Sequence, residues 1–379
     1  MKPMNIPEEF DEIRPFTPEE LPAAFDELLS DSHFLGLMRQ FAGDMPAEAV
    51  RRQLQTCRTL LDVQRTFIYP LIVKLLGKNA TSFDLDATAL PDHTRRYTFI
   101  SNHRDIVIDP ALLSLLLVDN GYPTTVEIAI GDNLLIYPWI RTLVRINKSF
   151  IVQRSLTMRE MLHSSRRMSR YIHFAVNEKQ ENVWIAQREG RAKDSDDRTQ
   201  ESVLKMLAMG GPLEALNLVP TCISYEYDPC DYLKAKEFQQ KRDNPDHRKT
   251  LDDDLLNMQT GIFGFKGRIH YCFAPCADTW LGELAALPKS EYFKAAAQRI
   301  DREIHRRYCL FPCNYAAIDL LEGAHTFAEH YTTEQRAAFA DYVDSRVALV
   351  DLANRDEAFL RERILTMYAN PLRNKLAAV

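Results

Sequence analysis

The chain is expected to be an α/β protein on a mainly parallel sheet flanked by helices, with an N-terminal helical subdomain and a C-terminal helical cover. Three observations lead there. From Tyr97 to Phe273, short apolar runs alternate with helical patterns. Before and after that stretch, apolar residues recur at three- and four-residue spacing with no strand-like runs. A length of 379 residues, 46% of them apolar and only 13 of them glycine, is enough to bury one large core or two moderate ones.

Thr17-Pro-Glu-Glu opens a first helix, and Ala47–Leu76 continues apolar at helical spacing, so residues 1–80 form the expected N-terminal subdomain. Its most apolar part, Thr66–Leu76, reads as a buried interdomain helix, with a membrane-dipping surface as the other reading. Strand-like runs occur next at Tyr97–Ser101, Val126–Ile130, Phe150–Gln153, Val183–Gln187, Val219–Tyr225 and Ile269–Phe273, within a domain of residues 81–285. Helical patterns between most of them call for parallel pairing with helices on both faces. The charged stretch 228–254, which includes Lys241-Arg-Asp-Asn-Pro-Asp-His-Arg-Lys249, reads as a solvated excursion before the sheet resumes. Residues 286–379 read as helices, interrupted near Pro312.

A formal charge of −6 argues against a general nucleic-acid binder. The longest uncharged stretches, Ala215–Tyr225 and Tyr308–Ile318, are 11 residues each and too short to span a bilayer. The acidic start has no apolar signal region, so a cytoplasmic location is expected. Seven cysteines, an odd number, suit reduced thiols. The spacings of Cys272/Cys276 and of His305/Cys309/Cys313 do not match zinc sites, so no metal is expected. No Gly-x-Ser-x-Gly elbow, Gly-x-Gly-x-x-Gly turn or Walker loop occurs, which removes the common hydrolase and nucleotide-binding readings.

The chemistry concentrates in Tyr97–Ala111, where a buried strand delivers His103 into a turn. Asp109 is expected to cap the next helix and Pro110 to be its first residue. A histidine at a strand's carboxyl end, oriented by a carboxylate, can take a proton from an alcohol without any serine or cysteine nucleophile. The same residues also suit a histidine bonded to backbone beside a capping aspartate. Two further strand ends carry cations: Asn147–Arg154, with Lys148 at its start, and Arg188–Lys193, where Gly190 permits a tight turn. Arg154, Arg191 and Lys193 could together hold one phosphate, with Glu189 in a supporting place; solvated surface charges are the other reading.

Taken together, Asn102–Asp109, Phe150–Arg154, Glu189-Gly-Arg-Ala-Lys193 and Val219-Pro220 resemble, in order and spacing, the four blocks of the glycerolipid acyltransferases, which act on glycerol-3-phosphate and 1-acylglycerol-3-phosphate. The resemblance covers roughly Tyr97 to Glu226. It implies that His103 and Asp109 are catalytic, that Arg154, Arg191 and Lys193 bind the acceptor's phosphate, and that Glu189, Gly190, Asp105 and Lys148 support them. It also implies acyl-CoA or acyl carrier protein as donor, a glycerophosphate or lysophospholipid acceptor (1-acylglycerol-3-phosphate first), no cofactor, and a role in phospholipid biosynthesis at the inner face of the cytoplasmic membrane. Two departures stand out. Five residues instead of four separate His103 from Asp109, which leaves Asp105 as a competing partner, and Arg191 and Lys193 are displaced from the family's usual Thr-Arg-Ser order. An amino-acid-containing lipid acceptor, or a non-catalytic lipid- or carrier-binding protein, are the alternatives.

Overall fold

The computed structural model describes residues 5–42, 47–153 and 158–378. Seven strands form one sheet: β1 (Ser82–Asp86), β2 (Thr98–Ser101), β3 (Val126–Gly131), β4 (Ser149–Val152), β5 (Asn182–Ala186), β6 (Leu218–Tyr225) and β7 (Arg268–Phe273). Their spatial order is β1-β7-β6-β2-β5-β3-β4. The five strands from β6 to β4 are mutually parallel, whereas β7 is antiparallel to β6 and β1 is parallel to β7.

The central strands are buried on both faces, which is why they read as apolar runs. In β2, Ile100 enters one core and Phe99 the other, and β5 and β6 divide their side chains in the same alternating way. One core is closed by helices Met158–Asn177 and Lys289–Arg306, and the other by helices Tyr69–Asn79 and Ile108–Asp119. All six expected strands are present within a residue or so. β1 is an addition to them: its sequence, Ser-Phe-Asp-Leu-Asp, carries only two apolar side chains, as an edge strand can.

The N-terminal helices pack around their own cluster, centred on Phe34, Leu54 and Val63, which also receives Ile146 from the α/β part. A further cluster joins the C-terminal helices, with Phe339, Ile364 and Tyr368 at its centre, and it receives Ala235. The expected interruption near Pro312 falls at 307–311, between helices Lys289–Arg306 and Pro312–Glu322, and Pro312 itself begins the second.

The stretch 228–254 departs from expectation. It forms most of an insertion between β6 and β7 that folds into helices Asp231–Asp243 and Leu251–Phe263, and it is not a solvated excursion. Its charges are partly internal: Asp228, Asp231, Lys234 and Glu237 are all buried. Each finds an opposite charge, among them Lys234 on Asp228 and Arg346 on Asp231, which is what allows so polar a segment to pack. The segment reads as solvent-exposed because several of those partners lie far away in sequence.

Candidate active site

β2 ends at Ser101, and the next side chain anchors the loop beyond it. Asn102 accepts a hydrogen bond from the Ile223 N–H and donates one to the Ile223 carbonyl, each at 2.8 Å, so it continues the pairing with β6 after the strand has stopped. His103 therefore leaves the sheet at its carboxyl end from a rigid base. Its ring meets Trp184 edge-on, with centroids 5.3 Å apart.

Asp109 is fully buried, and four donors converge on its carboxylate. Oδ2 accepts from His103 Nδ1 at 2.8 Å and from the amides of Arg104 and Asp105 at 2.6 and 3.0 Å, while Oδ1 accepts from Tyr225 OH at 2.9 Å. Tyr271 OH holds the Asp109 carbonyl at 3.0 Å. A carboxylate on Nδ1 keeps the imidazole proton there and leaves Nε2 for the cavity that His103 lines.

The competition between the two aspartates has a geometric resolution. Asp105 accepts from the Val107 and Ile108 amides at 2.9 and 2.8 Å, so it supplies the cap expected of Asp109. Helix Ile108–Asp119 starts one residue before Asp109, which sits in its first turn and turns back to the histidine. The extra residue of the loop is thus absorbed by a separate capping aspartate. Burial and the nearby Asp109 push the Asp105 carboxyl up, and Lys266 opposes this.

Beyond β5, Gly190 adopts a left-handed conformation (φ +66°), as the tight turn requires. Arg191 donates to Asn257 Oδ1 at 3.0 Å, and its other terminal nitrogen is buried without a partner. Lys193 forms an ion pair with Glu237. Both partners belong to the insertion. Burial and the neighbouring Lys249 and Lys241 push the Lys193 ammonium down to about 7. Glu189 lines the same cavity, with its amide held by Gln200 Oε1 at 2.8 Å.

Two sequence expectations end differently. Arg154 lies outside the described residues. Lys148 has a left-handed backbone (φ 58°) that turns its side chain away from the cavity and into a buried ion pair with Glu181 at 2.7 Å, with Thr124 and Thr125 beside it. It supports the fold and not the site.

The cavity holds about 580 Å³. Ile128, Ile130, Leu134, Ile140 and Val144 make part of its wall apolar, between β3 and helix Pro138–Ile146. Arg188, Arg191, Lys193 and Lys249 make another part cationic. Sequence reasoning missed the insertion's share of this wall, including Lys249 and Met258. It also missed Arg104, which is buried in an ion pair of 2.7 Å with Asp197. Asp197 in turn takes Tyr308 OH, and its carbonyl accepts from His305 Nε2 at 2.7 Å, tying the histidine loop to helix Lys289–Arg306. No local motif signals a pair 93 residues apart.

Residues 86–212 match the family model described as Acyltransferase. No curated protein matches the chain at a significant level. Among solved structures, the 1-acyl-sn-glycerophosphate acyltransferase of Thermotoga maritima is similar at 12% identity and a TM-score of 0.39, over 74% of this chain and 93% of that one.

Proposed function

We propose, on the premise that the chain carries an acyltransferase domain over residues 86–212 and is an acyl-transferring enzyme, that it moves a fatty acyl group from a thioester to a hydroxyl of a glycerophosphate. The observation that carries this reading is one cavity lined by His103 together with an apolar wall and a cationic wall. An acyl chain suits the first and a phosphate the second.

In this mechanism His103 Nε2 takes the proton of the acceptor hydroxyl as its oxygen attacks the thioester carbonyl. The tetrahedral intermediate collapses with cleavage of the carbon–sulfur bond, and the imidazolium returns the proton to the departing thiolate. Asp109 holds the ring and supports its positive charge. General-base assistance of this kind is worth roughly 10²–10⁴ in rate, and fixing hydroxyl and thioester together supplies much of the remainder. Arg191 and Lys193 anchor the phosphate. The donor is acyl-CoA or an acylated carrier protein, and 1-acylglycerol-3-phosphate is the first acceptor to offer. Glycerol-3-phosphate, which carries the same phosphate close to its hydroxyls, is the second acceptor to offer. A lysophospholipid acceptor would reach the site from a membrane surface. Among the described residues no helix is long and apolar enough to cross one.

The test is thiol release from long-chain acyl-CoA or acyl carrier protein by wild type and His103→Ala, with both acceptors in parallel and products identified by mass. Histidine-dependent release with one acceptor supports the proposal and selects the substrate. Release that survives His103→Ala refutes the mechanism. Silence with every donor and both acceptors moves the reading to an amino-acid-containing lipid acceptor or a lipid-binding role.

A further inference from the structure

Resting on the proposed acyl transfer, we infer that Lys241 and Lys249 of the insertion, gathered with Lys193 on Glu237, form a second anion seat that takes the phosphate of the donor's phosphopantetheine arm. Glu237 is only 4% exposed, yet three lysines converge on it: Lys193, Lys241 at 3.0 Å and Lys249 at 3.0 Å. Asp253 and Asp254 also act on Lys249, but beyond the effect of burial the like charges of Lys249, Lys241 and Arg191 push the Lys193 ammonium down, the mark of a cavity wall crowded with cations. Lys193 and Lys249 both line that cavity, while Lys241 is half exposed at its outer side.

Ligand length sorts the cations. In a glycerophosphate only a few bonds separate the phosphate from the reacting hydroxyl, so its phosphate must sit deep, where Arg191 keeps a buried, unpartnered nitrogen. A thioester donor carries its phosphate at the far end of a long flexible arm. With the carbonyl at His103, that phosphate is left near the solvent side, where the half-exposed Lys241 stands with Lys249 beside it on Glu237. Coenzyme A and an acyl carrier protein share this phosphate, so the seat accepts either source. Glu237 is then a positioning residue that gathers the lysines. The cluster joins the loop after β5 to both ends of the insertion's charged connection, so only the folded insertion assembles it.

The experiment titrates 4′-phosphopantetheine and pantetheine against wild type and Lys241→Ala/Lys249→Ala by calorimetry, then measures KM for acyl-CoA, acyl carrier protein and acceptor. Wild type should bind the phosphorylated arm about tenfold more tightly than the unphosphorylated one, as one or two charge-assisted bonds imply. The double variant should lose that preference, and Lys249→Arg should keep it. The donor KM should rise by a similar factor while the acceptor KM does not rise, since removing Lys241 and Lys249 relieves the like charge that pushes the Lys193 ammonium down, and whichever donor responds names the source. Equal binding of both arms by wild type overturns the inference. So does displacement of phosphopantetheine by glycerol-3-phosphate, or a rise in acceptor KM. A normal phosphopantetheine preference without acyl transfer would instead refute the proposed function and leave the seat standing.

Discussion

Gly261 lies on helix Leu251–Phe263, where the insertion presses against the histidine loop. A Cβ added there would fall well inside contact of Asp105 Oδ2 and 3.1 Å from its Cγ. Such atoms pack at about 3.5–4.0 Å, so Gly261→Ala demands a shift of several tenths of an ångström or more. Asp105 is buried and its Oδ1 holds two amides of the next helix, so it cannot simply swing out. If it yields, helix Ile108–Asp119 loses its cap; if the insertion yields, the Arg191–Asn257 bond at 3.0 Å is strained. Overpacking of this sort costs about 1–3 kcal/mol. Misplacing catalytic groups by about 1 Å costs on the order of 10²-fold in rate. Urea denaturation should therefore show a loss of about 1–3 kcal/mol, and kcat for acyl transfer should fall by roughly 10- to 100-fold. Asp105→Ala removes the obstructing carboxylate, so the double variant should be no less stable than Asp105→Ala alone. Additive losses, or a Gly261→Ala protein with wild-type stability and turnover, would refute the reasoning.

Asp109→Asn should lower kcat by roughly 10²–10⁴, because the amide no longer supports an imidazolium. Asp105→Asn should change kcat far less, since asparagine caps nearly as well as aspartate, and steady-state kinetics on both variants would expose an inverted assignment. Lys193 is protonated below about pH 7 and loses its charge above it. The KM for an anionic acceptor should therefore rise between about pH 7 and 9 in wild type and stay flat in Lys193→Arg, whose guanidinium keeps its charge throughout. Asn147 lines the cavity and accepts from Gln64 Nε2 at 3.1 Å, and a small void of about 20 Å³ lies behind the pair. Asn147→Ala should open that void and shift donor preference toward longer acyl chains, as read by competition among acyl-CoA lengths.

The strands were legible because burial on both faces leaves a local mark: each central strand is a short apolar run wherever it is read. β1 left none, since an edge strand tolerates Asp84 and Asp86. His103 and Asp109 were legible as a spaced pair, but which aspartate caps the helix was not. Asp105 and Asp109 are equivalent by residue type, and the donors that distinguish them, such as Tyr225, lie more than a hundred residues away. The insertion was the largest omission. Its lysines and acids look solvated one at a time, and they become wall and core only when Asp228 meets Lys234 and Glu237 meets Lys193. Lys148 failed in the opposite direction: it sits next to a site motif, but its left-handed backbone sends the ammonium elsewhere.

β6 and β7 are antiparallel neighbours, and such neighbours need only a two-residue hairpin to connect them. This chain instead spends residues 226–267 on the connection and packs it against the loops that follow β2 and β5, with Gly261 against Asp105, and Asn257 and Glu237 holding Arg191 and Lys193. The insertion's share of the cavity wall is therefore carried on a segment that adds no strand to the sheet, although through Gly261 it packs directly on the histidine loop. It can lengthen, shorten or exchange its charges without moving the register of a single strand. Changes of specificity among proteins built this way should accumulate in that hairpin, while Asn102, His103 and Asp109 remain where they are.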